Sequence, residues 1–499
     1  MAELLSHVTS VSSRLRSVDK ISDDRYDCQL RDLVTYIKQS DKNFDSEYLL
    51  NNLNPSHHTL SYLLMLNFKI KYLQNKRRTV LPEELKPGND LWVKAVLFFR
   101  TFDPIQVRYA GGEWRQLIEI IGQAAEATAK PFLAVQVIRD AMLRLDPSSG
   151  ILTSVHIIFL RLSLLSRSYS YALPVIGKPV IWFPTGSVQA YKKYIEQPLC
   201  SELVSMDSLL SDSFGFSAKL TYRDHTQYFL YGAMVYMALK EWDKSLHWLS
   251  IVISSPVNDS VSKIMVEAYK KWVLVSLLGH GKLVTAPKII SSHVLKVFQS
   301  LAKPYLSLSE AFERNDLQRL RLEADVGQSI WRHDNNEGLV SQLFHAHKSF
   351  LFLKLGRTFS ALTAADVAQQ AFTPLDSSSK IEEFVAALVM SGSLRATLVH
   401  LHGRGNGTML HFSRLPEPYI TRERCMRTQL AKEGRALEII TNGADQCSNE
   451  LMMGNENLQL VSKNQKWPDT LGKDGCNIIG EADGGGYEID EDIMGDNSK

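Results

Sequence analysis

The 499-residue sequence predicts an all-α protein: a solenoid of tetratricopeptide-like helical repeats that ends in a small module of helices and a β-hairpin. Three observations carry that expectation. From Leu91 to Leu278 apolar residues recur at helical spacing in successive segments joined by short breaks, with no strand segment between them. Between Leu362 and Ser413 two capped helix starts precede two alternating runs that flank Gly403-Arg404-Gly405-Asn406-Gly407. Beyond Asn442, Gly, Asn and Asp replace large apolar side chains, a composition that cannot bury enough surface to fold and is expected to be disordered.

In chain order, residues 1–46 are polar and helix-compatible, with a narrow stripe of Leu30, Leu33, Val34 and Ile37. Pro55 precedes a helix over Ser56–Gln74, where Leu60, Leu63, Leu64, Asn67, Ile70 and Leu73 keep helical spacing, and Lys69 to Arg78 supplies cations at its C-terminal end. Helices are expected over Leu91–Phe102, Glu113–Ala129, Phe132–Leu145 and Leu152–Ser166. Asp103-Pro104, Gly111-Gly112, Lys130-Pro131 and Asp146 to Gly150 separate them. Between Ala172 and Pro184, four positions (Pro174, Gly177, Pro179 and Pro184) oppose a helix and imply an extended crossover. From Tyr222 a helix to Lys240, a turn at Glu241-Trp242-Asp243, a helix through Ile253 and a longer one over Asp259–Leu278 complete the clearest repeat. Gly232, Ala233 and Ala238 would let its helices approach, and Tyr228, Tyr231 and Tyr236 form a core stripe.

The C-terminal module opens at Leu362, where Thr363 and Asp366 suit reciprocal capping and Leu362 and Val367 bracket the turn; this helix ends by Phe372, before Pro374. A second capping box at Ser379-Lys380-Ile381-Glu382 starts a helix whose Ile381, Phe384, Val385, Leu388 and Val389 share one face. Arg395–His402 and Thr408–Ser413 then form the hairpin, which makes the unit a winged helix. Lys380, Arg395, Arg404 and Arg414 balance Asp366, Asp376, Glu382 and Glu383, and no arginine lies on the second helix. A duplex reader needs several cationic phosphate contacts, so nucleic acid is not the expected partner. The domain division is 1–215, N-terminal helical repeats; 216–355, further repeats; 356–414, the winged helix; 415–441, a C-terminal bundle helix; and 442–499, an acidic tail. In Tyr419–Ile440 the seam Tyr419, Met426, Leu430, Leu437 and Ile440 runs close to period 3.5.

Composition excludes several classes. The formal charge of +2 divides sharply, since residues 442–499 hold twelve acidic and four basic side chains. The five cysteines, Cys28, Cys200, Cys425, Cys447 and Cys476, show no metal or redox spacing, which suits a reducing compartment. No apolar run approaches the roughly 18 residues that span a bilayer, and no apolar signal core follows Met1. His345-Ala346-His347 lies in a helical segment, where residues two apart point to nearly opposite sides and cannot share an ion. His400, His402 and His411 alternate on hairpin strands, and a turn centred on Gly405-Asn406 would set His400 opposite His411, yet no carboxylate or thiolate completes a ligand set. The expectation is therefore no catalytic residue, no cofactor and no metal.

A helical array followed by this winged helix and one more helix resembles the PCI module of scaffold subunits in the proteasome lid, the COP-nine signalosome and translation initiation factor three. Two segments narrow the likeness. Glu267-Ala-Tyr-Lys-Lys-Trp-Val-Leu-Val-Ser-Leu-Leu278, reaching Gly281-Lys282, and Asp334-Asn-Asn-Glu-Gly-Leu-Val340 resemble the signature of the signalosome's subunit-three family. That resemblance implies a non-catalytic scaffold, in nucleus and cytoplasm, within a complex whose separate JAMM-bearing metalloprotease subunit removes the ubiquitin-like neddylation modifier from cullins. Its partners would be other PCI and JAMM-bearing subunits, with cullin-RING ligases met indirectly. The equivalent subunit of the lid or initiation factor, and a winged-helix nucleic-acid-binding regulator, stand as alternatives. The expected partner interface comprises Leu394, Val399, Leu401, Leu410 and Phe412 of the winged helix, with the seam Tyr419, Met426, Leu430, Leu437 and Ile440.

Overall fold

The computed structural model describes residues 23–39, 46–78, 81–147, 150–180, 215–256, 261–363, 378–390, 396–400 and 408–412, with isolated positions at 9, 11–12, 366, 394 and between 423 and 444. Helices α1 (Asp23–Gln39), α2 (Ser46–Asn52), α3 (Thr59–Arg77), α4 (Asp90–Thr101), α5 (Pro104–Val107), α6 (Gly111–Ala127), α7 (Pro131–Leu145), α8 (Ser154–Leu165) and α9 (Tyr169–Ile176) make up the first half. Leu30, Leu33 and Ile37 of α1 are buried, as their spacing demands. Gln106 fastens the first elements together, accepting from the Leu60 amide at 3.2 Å and donating to the Tyr26 hydroxyl and the His57 carbonyl at 3.1 Å each.

Two breaks expected from composition are absent. Gly111 and Gly112 form the first turn of α6; a Cβ on Gly112 would meet nothing within 4 Å, whereas Gly215, at φ +80°, passes so close that a Cβ on it would lie 2.9 Å from the Gly112 nitrogen. Pro174 lies inside α9, which the sequence marked as an extended crossover. The proline removes a single donor from an eight-residue helix, and burial of Ala172, Val175 and Ile176 outweighs that loss. Positions 181–184 of that stretch lie outside the described residues.

The second half contains α10 (Tyr222–Ala238), α11 (Trp242–Ile253), α12 (Lys263–His280), α13 (Ser292–Leu301), α14 (Lys303–Glu313), α15 (Leu317–Val326), α16 (Gln328–His333) and α17 (Glu337–Thr358). Each of α10, α11 and α12 packs on its successor or predecessor as a helical hairpin. Trp248 lies directly over Gly232, where a Cβ would fall 2.1 Å from the indole ring, so the small residue sets the helix spacing. Tyr228 and Tyr236 are buried there and Tyr231 is half-buried. Several helix ends share a closure that lacks glycine. Ala129, Arg167, Lys240, Asn315 and Asn335 all take positive φ, and paired backbone bonds such as Lys130 N–H to Ala125 O and Ala129 N–H to Glu126 O, both 2.9 Å, complete a Schellman turn.

After α17 come β1 (Ala361–Thr363), α18 (Ser378–Met390), β2 (Ala396–His400) and β3 (Thr408–Phe412), with an antiparallel sheet in the order β1-β3-β2. The expected hairpin is therefore joined by a further strand. Leu362 belongs to β1 and pairs with Leu410, whereas the sequence placed it at a helix start. The Thr363 hydroxyl nevertheless bonds the Asp366 carboxylate at 2.7 Å and accepts its amide at 3.2 Å, the capping contact anticipated there. The remainder of that helix, the Gly403–Gly407 turn, His402 and most of the acidic tail fall outside the described residues.

The hairpin register also differs from expectation. His400 pairs with Thr408 and His411 with Thr397, so the two histidines are not opposite one another. This register puts Ala396, Leu398, Leu410 and Phe412 on the face that covers Phe352 and Leu355 of α17 and Val385 and Leu388 of α18. An odd slip would turn half of those side chains to the other face, so burial selects the observed pairing. Contacts divide the chain into Met1–Leu437 and Glu438–Lys499. All described positions from 423 to 444 are helical.

Candidate assembly site

The two segments singled out in the sequence meet in space. Lys270 of α12 donates to the Asp334 carboxylate at 2.7 Å, and its ammonium lies 5.7 Å from the centre of the Tyr305 ring on α14. The Tyr305 hydroxyl donates to Asp334 and accepts from the Asn336 amide, both at 2.8 Å. The Asn336 carbonyl accepts from Lys271 at 3.0 Å, and Lys271 also reaches Glu267 at 2.9 Å. Each residue of Asp334-Asn335-Asn336 thus has a part: Asp334 holds a cation, Asn335 takes the left-handed turn at φ 55°, and Asn336, fully buried, bridges Lys271 and Tyr305. Burial opposes the charge on Asp334, but the bonds from Lys270, Tyr305 and His333 outweigh it and hold the carboxyl below its ordinary value. Gly281 closes α12 at φ +70°, with Phe350 of α17 so near that a Cβ would be 3.0 Å from its ring. The signature is therefore a clamp that fixes α12 against the start of α17.

What α17 does follows from where its apolar faces point. Val340, Leu343 and His347 are buried towards the helical repeats, whereas Phe352 and Leu355 enter the core of the winged helix. Five residues separate His347 from Phe352, a rotation of about 140° at 3.6 residues per turn, so one continuous helix serves both cores with different sides. It passes through the domain boundary expected at 355/356 without a break. His345 and His347 separate accordingly: the first is exposed beside Phe384 (4.9 Å between rings), the second buried beside Phe312 (5.2 Å). Among the described residues no three His, Cys, Asp or Glu side chains gather around a common point, and no helix is long and apolar enough to cross a membrane.

The expected interface residues do not form one surface. Leu394, Leu410 and Phe412 are at most 4% exposed and belong to the winged helix's own core, a correction that follows from the register. Val399 points the other way and is 47% exposed. Met426, Leu430, Leu437 and Ile440 are all exposed, while Leu401 and Tyr419 lie outside the described residues. Sequence reasoning missed a further ridge. Leu322, Val326 and Ile330 recur at i, i+4 and i+8 along α15 and α16, exposed at 64, 81 and 37%, while Leu320, Ala324 and Trp331 face inwards. The second stripe at constant offset was the signal that could have found it.

A family model described as COP9 signalosome complex subunit 3, N-terminal helical repeats, matches residues 27–197 and 203–295. A protein of Emericella nidulans named COP9 signalosome complex subunit 3 is 48% identical over 499 residues, covering 99% of this chain and 100% of its own. The chain belongs to the COP9 signalosome subunit 3 family. Relatives of the same name from Neurospora crassa and Dictyostelium discoideum are each 27% identical, over 382 and 372 residues, and each alignment covers 74% of this chain and 72 or 78% of the relative. The match to the subunit 3 repeats includes Lys270 and Lys271 of the clamp. Tyr305, Asp334 and Asn336 come from beyond it, so the clamp fastens the family's repeat region to the helix that carries the winged helix.

Proposed function

We propose that this chain is a non-catalytic scaffold subunit of the COP9 signalosome, the complex that removes the ubiquitin-like neddylation modifier from cullin-RING ubiquitin ligases. The observation that carries this reading is the 48% identity to the Emericella nidulans subunit across nearly the whole of both chains. The architecture supports it: the clamp and α17 present the winged helix at the end of the repeats, and exposed Val399, Met426, Leu430, Leu437 and Ile440 offer apolar surface for neighbours. Those neighbours are PCI and JAMM-bearing subunits, cullin-RING ligases are met through the complex, and the protein resides in nucleus and cytoplasm.

Affinity purification of the tagged full chain from native extract, followed by mass spectrometry, tests the reading. Stoichiometric recovery of a JAMM-bearing signalosome subunit is expected; recovery of proteasome-lid subunits in its place overturns it. The purified chain alone releases no neddylation modifier from a cullin, and metal-dependent release by it would remove the non-catalytic assignment.

A further inference from the structure

A small pocket of about 20 Å³ lies where the helix α6, the turn between α7 and α8 and the segment around Phe216 meet. Met142, Leu145, Val155 and Phe216 give it apolar walls, and Trp114, Asp146, Thr153 and His156 bring polar groups to it. Trp114 and His156 are at least 95% buried, and neither the indole Nε1 nor the imidazole Nε2 has a hydrogen-bond partner among the described residues. The proton on His156 can be placed. Its Nδ1 accepts the Thr153 backbone N–H at 3.2 Å and lies 2.9 Å from the Thr153 hydroxyl, which leaves the proton of the neutral ring on Nε2. Two N–H donors therefore line the same small pocket as one carboxylate.

We propose that this cavity is a binding site for one water molecule, which accepts from Trp114 Nε1 and His156 Nε2 and donates to the Asp146 carboxylate. Size and chemistry agree. A site of roughly 10–15 Å³ admits one water, so about 20 Å³ has room for one. Three protein partners are what a buried water ordinarily finds, and their complement here, two donors and one acceptor, fits a water that accepts twice and donates once. The site adds to polar bonds that already join these elements: Arg115 Nε to the Gly215 carbonyl at 3.1 Å, Ser154 N–H to the Ser217 hydroxyl at 3.1 Å, and Ala218 N–H to the Ser154 hydroxyl at 3.0 Å. Occupied, it fixes the segment around Phe216 against α6.

A structure of the full chain or its purified complex that shows ordered water tests the proposal directly. One spherical density within about 2.7–3.2 Å of both nitrogens is expected. An empty cavity, or an indole N–H bonded directly to Asp146, overturns it. A second measurement needs no crystal. In the deuterated, nitrogen-labelled chain, the Trp114 indole signal, identified by its loss in Trp114→Phe, shows magnetisation transfer from a long-lived water, at reduced intensity in His156→Leu. A wild-type indole signal with no such transfer sinks the proposal without reliance on either variant.

Discussion

His156 shows how one buried side chain makes a repeat protein sensitive to acid. Burial holds its imidazole down to about 4, against about 6.5 when exposed, so the unfolded chain takes up this proton more readily than the folded one. Its contribution is fully present above pH 6.5, falls as pH drops from 6.5 towards 4, and is gone below that, a loss of up to about 3 kcal/mol. His225 and His347, also lowered by burial, act in the same direction. The urea midpoint followed by circular dichroism should therefore fall steadily from pH 7 to 4, with a shallower slope in His156→Gln. Asp334 gives a second residue-scale expectation. Asp334→Asn leaves Lys270, 18% exposed, without its counter-ion and should destabilise the chain by roughly 1–3 kcal/mol, whereas Glu337→Gln, whose pair with Arg332 is more than half exposed at both ends, should change the same midpoint little. Equal effects at both sites would mean that the clamp contributes no more than surface charge.

Helices were legible where their ends carry recognised residues and less so where tertiary contacts supply the ending. The cores of α3, α4, α7, α8 and α11 follow directly from apolar spacing. The glycine pair at 111–112 misled because glycine suits a turn but does not forbid the first turn of a helix, and local composition does not tell which applies. The helix stops expected at Ala129, Ser166 and Lys240 lie within two residues of the observed ends, but composition gave no sign of how they close: two backbone bonds hold a non-glycine residue in the left-handed conformation at Ala129, Arg167 and Lys240. Relieving that strain is a direct test: Ala129→Gly should stabilise the chain by about 1 kcal/mol, read as a raised urea midpoint. A lowered midpoint would show that the Ala129 methyl packs usefully.

Across the whole molecule, the apolar surface left exposed says where assembly energy can come from. Burying Met426, Leu430, Leu437 and Ile440 against neighbours contributes roughly 1.5–3 kcal/mol each before ordering is counted, while the sequence of 443–499 shows no such stripe. A chain ending at Asn442 should co-purify with its complex at full stoichiometry. One ending at Arg414 should retain its helical circular dichroism yet be depleted from the complex, and its full retention would make the seam dispensable. The sequence by itself determined the all-α class, the order of the repeats, the winged helix at their end and the two signature segments, because each rests on spacing or capping within a few residues. Tertiary structure alone decided that those segments clasp one another through Lys270, Asp334, Tyr305 and Asn336, and that α17 turns different sides to two cores. It also decided that Leu394, Leu410 and Phe412 are interior. Strand register is the physical reason for the last: a local pattern tells which residues alternate, but only the helices waiting to be covered choose which alternate set faces them.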